Sequence, residues 1–205
     1  MKPLYARLWQ MLLGWGSVGL VYHFSDRWQA PGRLMSPGWL DQMIPFSPHG
    51  IWLYLSFFVL IPCGYLLTPL SSLSWLRRAM QLAALGAGAV YMLWPTTMHY
   101  PEVQSSGISA QLLSLLKQVD SMQNCLPSLH IALSVLAAWA ISRTGHKGAT
   151  VLAWLWVLLI GFSILQLRRH LFVDVISGGA LALAAGVLAQ QLSRRKGAQV
   201  QGVTP

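Results

Sequence analysis

Residues 168–192 read RRHLFVDVISGGALALAAGVLAQQL. From Phe172 to Leu192 the run holds one acid and no base. That is the length and composition of a bilayer-crossing helix, which needs about 20 mostly apolar residues. Its front end, RRHLFVD, is of another character, with Arg168, Arg169, His170 and Asp174 crowded at the mouth of the span. Ionisable groups at such a place are costly to keep and are functional candidates by default.

The rest of the chain repeats the pattern. Of 205 residues, 55% are hydrophobic and only 9% charged, where soluble domains average about 25% charged. Mean hydropathy is +0.52, and tryptophan, at 10 residues, is frequent. These values imply an integral membrane protein of one helical bundle, with no room for a second domain. Six apolar runs are candidate spans: 8–23, 51–67, 80–94, 127–141, 150–167 and 172–192. The first is short and interrupted by glycine. It is read as a retained helix and not a signal peptide, because no small-residue cleavage site follows it.

The connections differ from one another. Residues 25–50 are rich in Pro, Gly and Trp, so they cannot form one helix and suit the membrane–water interface. Residues 95–107 read as a loop. Residues 108–120 place Ile108, Leu112, Leu115 and Val119 at helical spacing, as in a short interfacial helix. The expected fold is all-α: a polytopic six-transmembrane-helix bundle over residues 1–193, followed by a basic cytoplasmic tail, 194–205.

Charge orients that bundle. With six spans both termini share a side, and that side carries nine basic residues and no acid. The other side carries five basic residues and all five acids, Asp26, Asp41, Glu102, Asp120 and Asp174. The positive-inside rule places both termini in the cytoplasm. The net charge of +9 comes from small clusters between apolar runs, which excludes a nucleic-acid-binding face. Cys63 and Cys125 both fall in or beside apolar runs and imply no disulfide framework.

On this topology a second polar stretch, NCLPSLH (124–130), opens the fourth span at the same non-cytoplasmic face as RRHLFVD. Pro127 suits a first helical turn, and Asn124 or a neighbour would cap it. The free amides near Ser128 and Leu129 would then make an anion cradle suited to phosphate. His130, one turn in, is placed to donate a proton to a leaving oxygen. His170 and Asp174 share a face if the sixth helix begins near them. The carboxylate would fix the tautomer and leave the other ring nitrogen as nucleophile. Arg168 and Arg169 would neutralise a phosphate.

CLPSLH followed by Ser163, His170 and Asp174 in an S-x6-H-x3-D pattern resembles the type 2 phosphatidic acid phosphatase superfamily. Leu129 stands where the usual motif has Gly, which is similar to the inositol phosphorylceramide synthase branch. The resemblance implies a six-helix, metal-independent lipid phosphatase or phosphotransferase that works through a phosphohistidine. It implies His170 as nucleophile, Asp174 as its orienting partner, His130 as general acid, and Ser128 and Arg168 as phosphate ligands. Two departures stand out. The first family motif, Lys-x6-Arg-Pro, is absent, with Ala87 and Trp94 in place of Lys and Arg before Pro95. The usual Arg six residues before the nucleophile is Ile164. Arg168, Arg169, Lys117, His99 and Tyr100 are the candidates to compensate.

Three function classes follow. One is a lipid phosphatase, acting on a lipid phosphate or an isoprenyl or other lipid pyrophosphate with water as acceptor. The second is a phosphotransferase with a lipid alcohol as acceptor. The third is a redox carrier holding haem between paired histidines, which gives no reason for Asp174 or the arginines. The phosphatase is the leading expectation, with no cofactor or metal, and with the bilayer and a membrane lipid as its partners.

Overall fold

The computed structural model describes residues 2–103 and 106–201, with side chains over 3–103 and 106–195. Helices dominate. In chain order they are α1 (Lys2–Trp28), α2 (Trp39–Met43), α3 (Ile51–Leu55), α4 (Phe57–Leu67), α5 (Leu73–Leu93), α6 (Ile108–Val119), α7 (Leu129–Ser142), α8 (Lys147–Gln166) and α9 (Phe172–Gln201). Two three-residue strands, β1 (Arg33–Met35) and β2 (Thr96–Met98), pair in parallel.

By length and composition, three helical stretches qualify to cross a membrane: Pro48–Leu67, Lys147–Gln166 and Phe172–Arg195. Leu129–Ser142 is apolar but shorter. The expected elements are otherwise present with altered bounds. The first helix is continuous through its glycines and runs well beyond 8–23 at both ends. The third begins seven residues earlier than expected, at Leu73. The second is divided at Ser56, and Pro62, which has no N–H to give the helix ladder, lies inside its second half. The interfacial helix lies at 108–119, as its periodicity predicts. Part of the expected loop at 95–107 is instead β2, because Thr96–Met98 finds a partner in β1 far away in the chain. Helix α9 continues to Gln201, so the 194–205 segment begins as helix. The side chains after Arg195 lie outside the described residues.

Neighbouring helices show how the chain is threaded. Gln81 of α5 donates to the Leu13 carbonyl of α1, and further along the Tyr22 and Tyr91 rings stack edge to face. Helices α1 and α5 are therefore parallel. Helix α7 runs parallel to α9: Gly178 lies against Ser128 and Gly186 against Trp139. A Cβ at Gly178 would overlap the Ser128 carbonyl oxygen, and one at Gly186 would overlap the indole. Small residues at such crossings let two backbones approach. The core is made by α4, α5 and α7, where Leu60, Ile61, Leu76, Ala83, Leu136 and Ala137 are fully buried. The threading puts the starts of α7 and α9 at one end of the bundle.

Candidate active site

Helix α7 begins at Leu129 because Ser128 caps it. Ser128 is extended, and its Oγ accepts from the Ile131 amide at 3.5 Å. The cap is thus Ser128 and not Asn124, and Pro127 lies before the first turn and not in it. Two bonds fix this start. The Ser128 amide donates to the Asp174 carbonyl at 3.0 Å, and the Tyr91 hydroxyl donates to the Pro127 carbonyl at 2.6 Å. Asn124 ties the preceding loop to α1, donating to the Tyr22 carbonyl and accepting from Gln29. The Leu129 and His130 amides belong to the first turn, which has no acceptors within its own helix.

Helix α9 begins at Phe172. Asp174 Oδ2 accepts from the Leu171 amide at 2.8 Å, a return bond across the first turn of the kind that caps helices. His170 therefore stands just outside the helix. It meets Asp174 across the helix start, not along one helical face as the four-residue spacing suggests. His170 Nδ1 is 3.5 Å from Asp174 Oδ2 and has no closer polar partner, nor does Asp174 Oδ1. Both residues are buried.

The two histidines come together. The ring centroids of His130 and His170 are 6.0 Å apart. The His130 ring is also held by Tyr54 and Phe57, each at 4.7 Å. His130 lines a cavity of about 240 Å³ together with Asp120, Tyr22 and Tyr54 at its polar end, and Trp15, Val18, Phe58 and Leu133 elsewhere.

The arginines separate. Arg168 has a left-handed φ of 52°, which turns its side chain away from that of Arg169. Its guanidinium donates to the backbone carbonyls of Asp41 and, at 2.8 Å, Ile44. The placement expected for Arg168, on a phosphate, is thus taken up by the α2 segment. Arg169 is the buried one: its Nη2 donates to Asp120 Oδ2 at 2.8 Å and to the Ser121 carbonyl at 3.1 Å. Its Nε has no partner. Of the other candidates, Tyr100 lies under the Arg169 guanidinium. Lys117 donates to the Pro101 carbonyl, and His99 is exposed. Ser163 bonds the Ile160 carbonyl of its own helix.

Asp120 is the residue that the sequence did not single out. Its carboxylate accepts from Tyr22 at 2.6 Å, Tyr54 at 3.0 Å and Arg169. Burial is the largest single influence and would raise its pKa, but the Arg169 guanidinium, His130 and the Tyr22 hydroxyl together outweigh it and hold the carboxyl below the usual carboxylate range. Its one sequence signal is that it is among only five acids in the chain. Asp41 was also missed: its Oδ1 accepts from the Phe172 amide at 2.7 Å and so anchors the start of α9. Cys125 hydrogen-bonds Tyr100, and burial pushes its thiol up to about 11, which leaves it an inert neighbour.

A family model described as the PAP2 superfamily matches residues 33–188, a stretch holding both motifs. The chain belongs to that superfamily. No curated protein and no solved structure matches it. The PAP2 assignment, the type 2 phosphatidic acid phosphatase superfamily, supports an enzyme of phosphatase or phosphotransferase type. The apolar helices and the family together make it a membrane protein.

Proposed function

We propose that this PAP2 protein transfers a phosphoryl group from a membrane lipid to His170 and from there to an acceptor. Six spans would carry the site, with both termini cytoplasmic and the starts of α7 and α9 at the opposite face. The observation that supports the reading best is the placement of His130 and His170, with ring centroids 6.0 Å apart and Asp174 beside Nδ1 of the latter. Nδ1 turned to a carboxylate leaves Nε2 as the nucleophile. His130, the nearest other proton carrier, protonates the departing oxygen and later takes the proton of the acceptor. The first-turn amides of α7, Leu129 among them, and Arg169 receive the phosphoryl oxygens. Ser128 serves by holding that turn open, and Arg168 by tying α2 to the His170 segment.

Water as acceptor makes the protein a lipid phosphatase. The apolar part of the cavity beside His130 also suits a lipid alcohol, which would make it a phosphotransferase. The test is product analysis with detergent-purified protein and a panel of lipid phosphates, pyrophosphates and phosphodiesters, with and without diacylglycerol or ceramide. Free phosphate or a free phosphomonoester whose release requires His170 identifies the hydrolase, and a new phospholipid identifies the transferase. Turnover that persists in His170→Ala would refute both. Turnover is expected to survive excess chelator, since among the described residues no three His, Cys, Asp or Glu side chains gather as a metal site.

A further inference from the structure

We propose that Asp120 is a specificity-determining residue, whose carboxylate restricts the site to phosphoryl groups carrying one negative charge, as in a phosphodiester. This rests on the transfer reading above and concerns what the site accepts. The charged groups nearest the two histidines, among the described residues, are Arg169 and Asp174, both buried, and Asp120, which is half-buried. Their formal sum is negative before any substrate enters, and a protonated His130 brings it only to zero. The nearest further pair is spent elsewhere: Arg168 holds two backbone carbonyls, and Asp41 accepts from the Phe172 and Gly38 amides. Lys117 is half-buried and bound to a carbonyl.

Asp120 is not a passive neighbour. Three donors, from α1, α3 and the turn before α9, converge on its two oxygens. It lines the same cavity as His130. Half of the Arg169 fork is thereby neutralised. What remains for a substrate is the unpartnered Nε, an Nη1 whose contact is the Met122 sulfur at 3.8 Å, and the start of α7. A helix start supplies about half a positive charge. Such a set balances one negative charge and leaves a second one facing a carboxylate. An extra unit charge about 5 Å from a carboxylate costs on the order of a hundredfold in affinity at an effective dielectric near 20. A second ester group removes that charge, and the apolar walls of the cavity at Trp15, Val18 and Leu133 offer it neutral surroundings.

The chemistry balances with such a donor. The Nε2 lone pair of His170 forms the N–P bond as one P–O ester bond breaks. The departing oxygen keeps the bonding pair and takes the proton of protonated His130. The intermediate retains the other ester and a single negative charge. Water or an alcohol then attacks phosphorus, its proton passes to His130, and the N–P pair returns to His170.

The test uses two probes with no ester bond to break, the doubly charged dodecylphosphonate and the singly charged dodecyl(methyl)phosphinate. Binding is measured by calorimetry in detergent at a pH where the first is doubly ionised. Wild type is expected to bind the phosphinate at least about tenfold more tightly. In Asp120→Asn, which keeps an acceptor and loses the charge, phosphonate binding should tighten at least about fivefold while phosphinate binding stays within about twofold. Equal or reversed wild-type affinities overturn the proposal, and this comparison needs no variant to fold. A parallel loss for both probes in Asp120→Asn assigns the residue a structural role and also overturns it. His170-dependent turnover is scored separately. Turnover with no preference for the singly charged probe defeats this inference alone, and absence of His170-dependent turnover from every lipid defeats the transfer reading and this inference with it.

Discussion

At the end of the bundle where α7 and α9 begin, Arg169, His170 and Asp174 are buried, and the Arg169–Asp120 ion pair and the His170–Asp174 contact lie there. At the end where α1 and α5 begin, the charges among the described residues are half-buried or exposed and are held without carboxylates. Arg7 donates to the carbonyls of Tyr65 and Thr68 at the end of α4, where the helix leaves acceptors unpaired. Arg78 donates to Ser193, and Arg143 stacks on Trp75 with its guanidinium 3.5 Å from the ring centroid. The contrast separates two uses of basic residues. One end spends them on helix ends and aromatic rings, where they anchor. The other sets them against acids inside the protein, an arrangement often no more stable than apolar packing and one that fits the chemistry proposed for this end.

That contrast can be broken by substitution. The largest effect is expected for His170→Ala, a loss of at least about a thousandfold in turnover with an unchanged circular dichroism spectrum. Gly178→Ala comes next. Its Cβ meets the Ser128 carbonyl oxygen, and overpacking of this kind costs about 1–3 kcal/mol, read as a lower melting temperature together with lost activity. Gly148→Ala, with nothing within 4 Å of the new Cβ, should leave both unimpaired. Asp41→Ala removes the acceptor of the Phe172 amide and should cost about 1 kcal/mol, as for other caps. Its kcat should also fall, because His170 is aimed by the start of α9. Arg143→Lys at the far end gives up the stacking on Trp75, worth about 0.5–1 kcal/mol, and should leave kcat unchanged. A matching fall in kcat for Arg143→Lys would erase the distinction between the two ends.

The motifs were legible because each is a short, local pattern. Ser128 and His130 lie three positions or fewer from one helix start, and His170 and Asp174 flank another. Local chemistry was also misread in places. Pro127 fits a first turn by propensity, but Ser128 supplies the capping oxygen and so moves the boundary past the proline. The four-residue spacing of His170 and Asp174 suggested one helical face, and the helix starts between them. Arg168 and Arg169 are indistinguishable as letters. Only the left-handed backbone at Arg168 sends one guanidinium to α2 and leaves the other buried against Asp120.

The sequence by itself determined a membrane-embedded helical protein with two histidine motifs of PAP2 type, because hydropathy, helical period and motif spacing are properties of neighbouring residues. The tertiary structure alone decided which groups surround those histidines. Tyr22, Tyr54, Asp120 and Arg169 lie on four separate segments, and Asp120 became part of the site only when packing brought the other three to its carboxylate. A buried charge must be paired wherever its partner lies in the chain, and no local pattern records a partner forty-nine residues away.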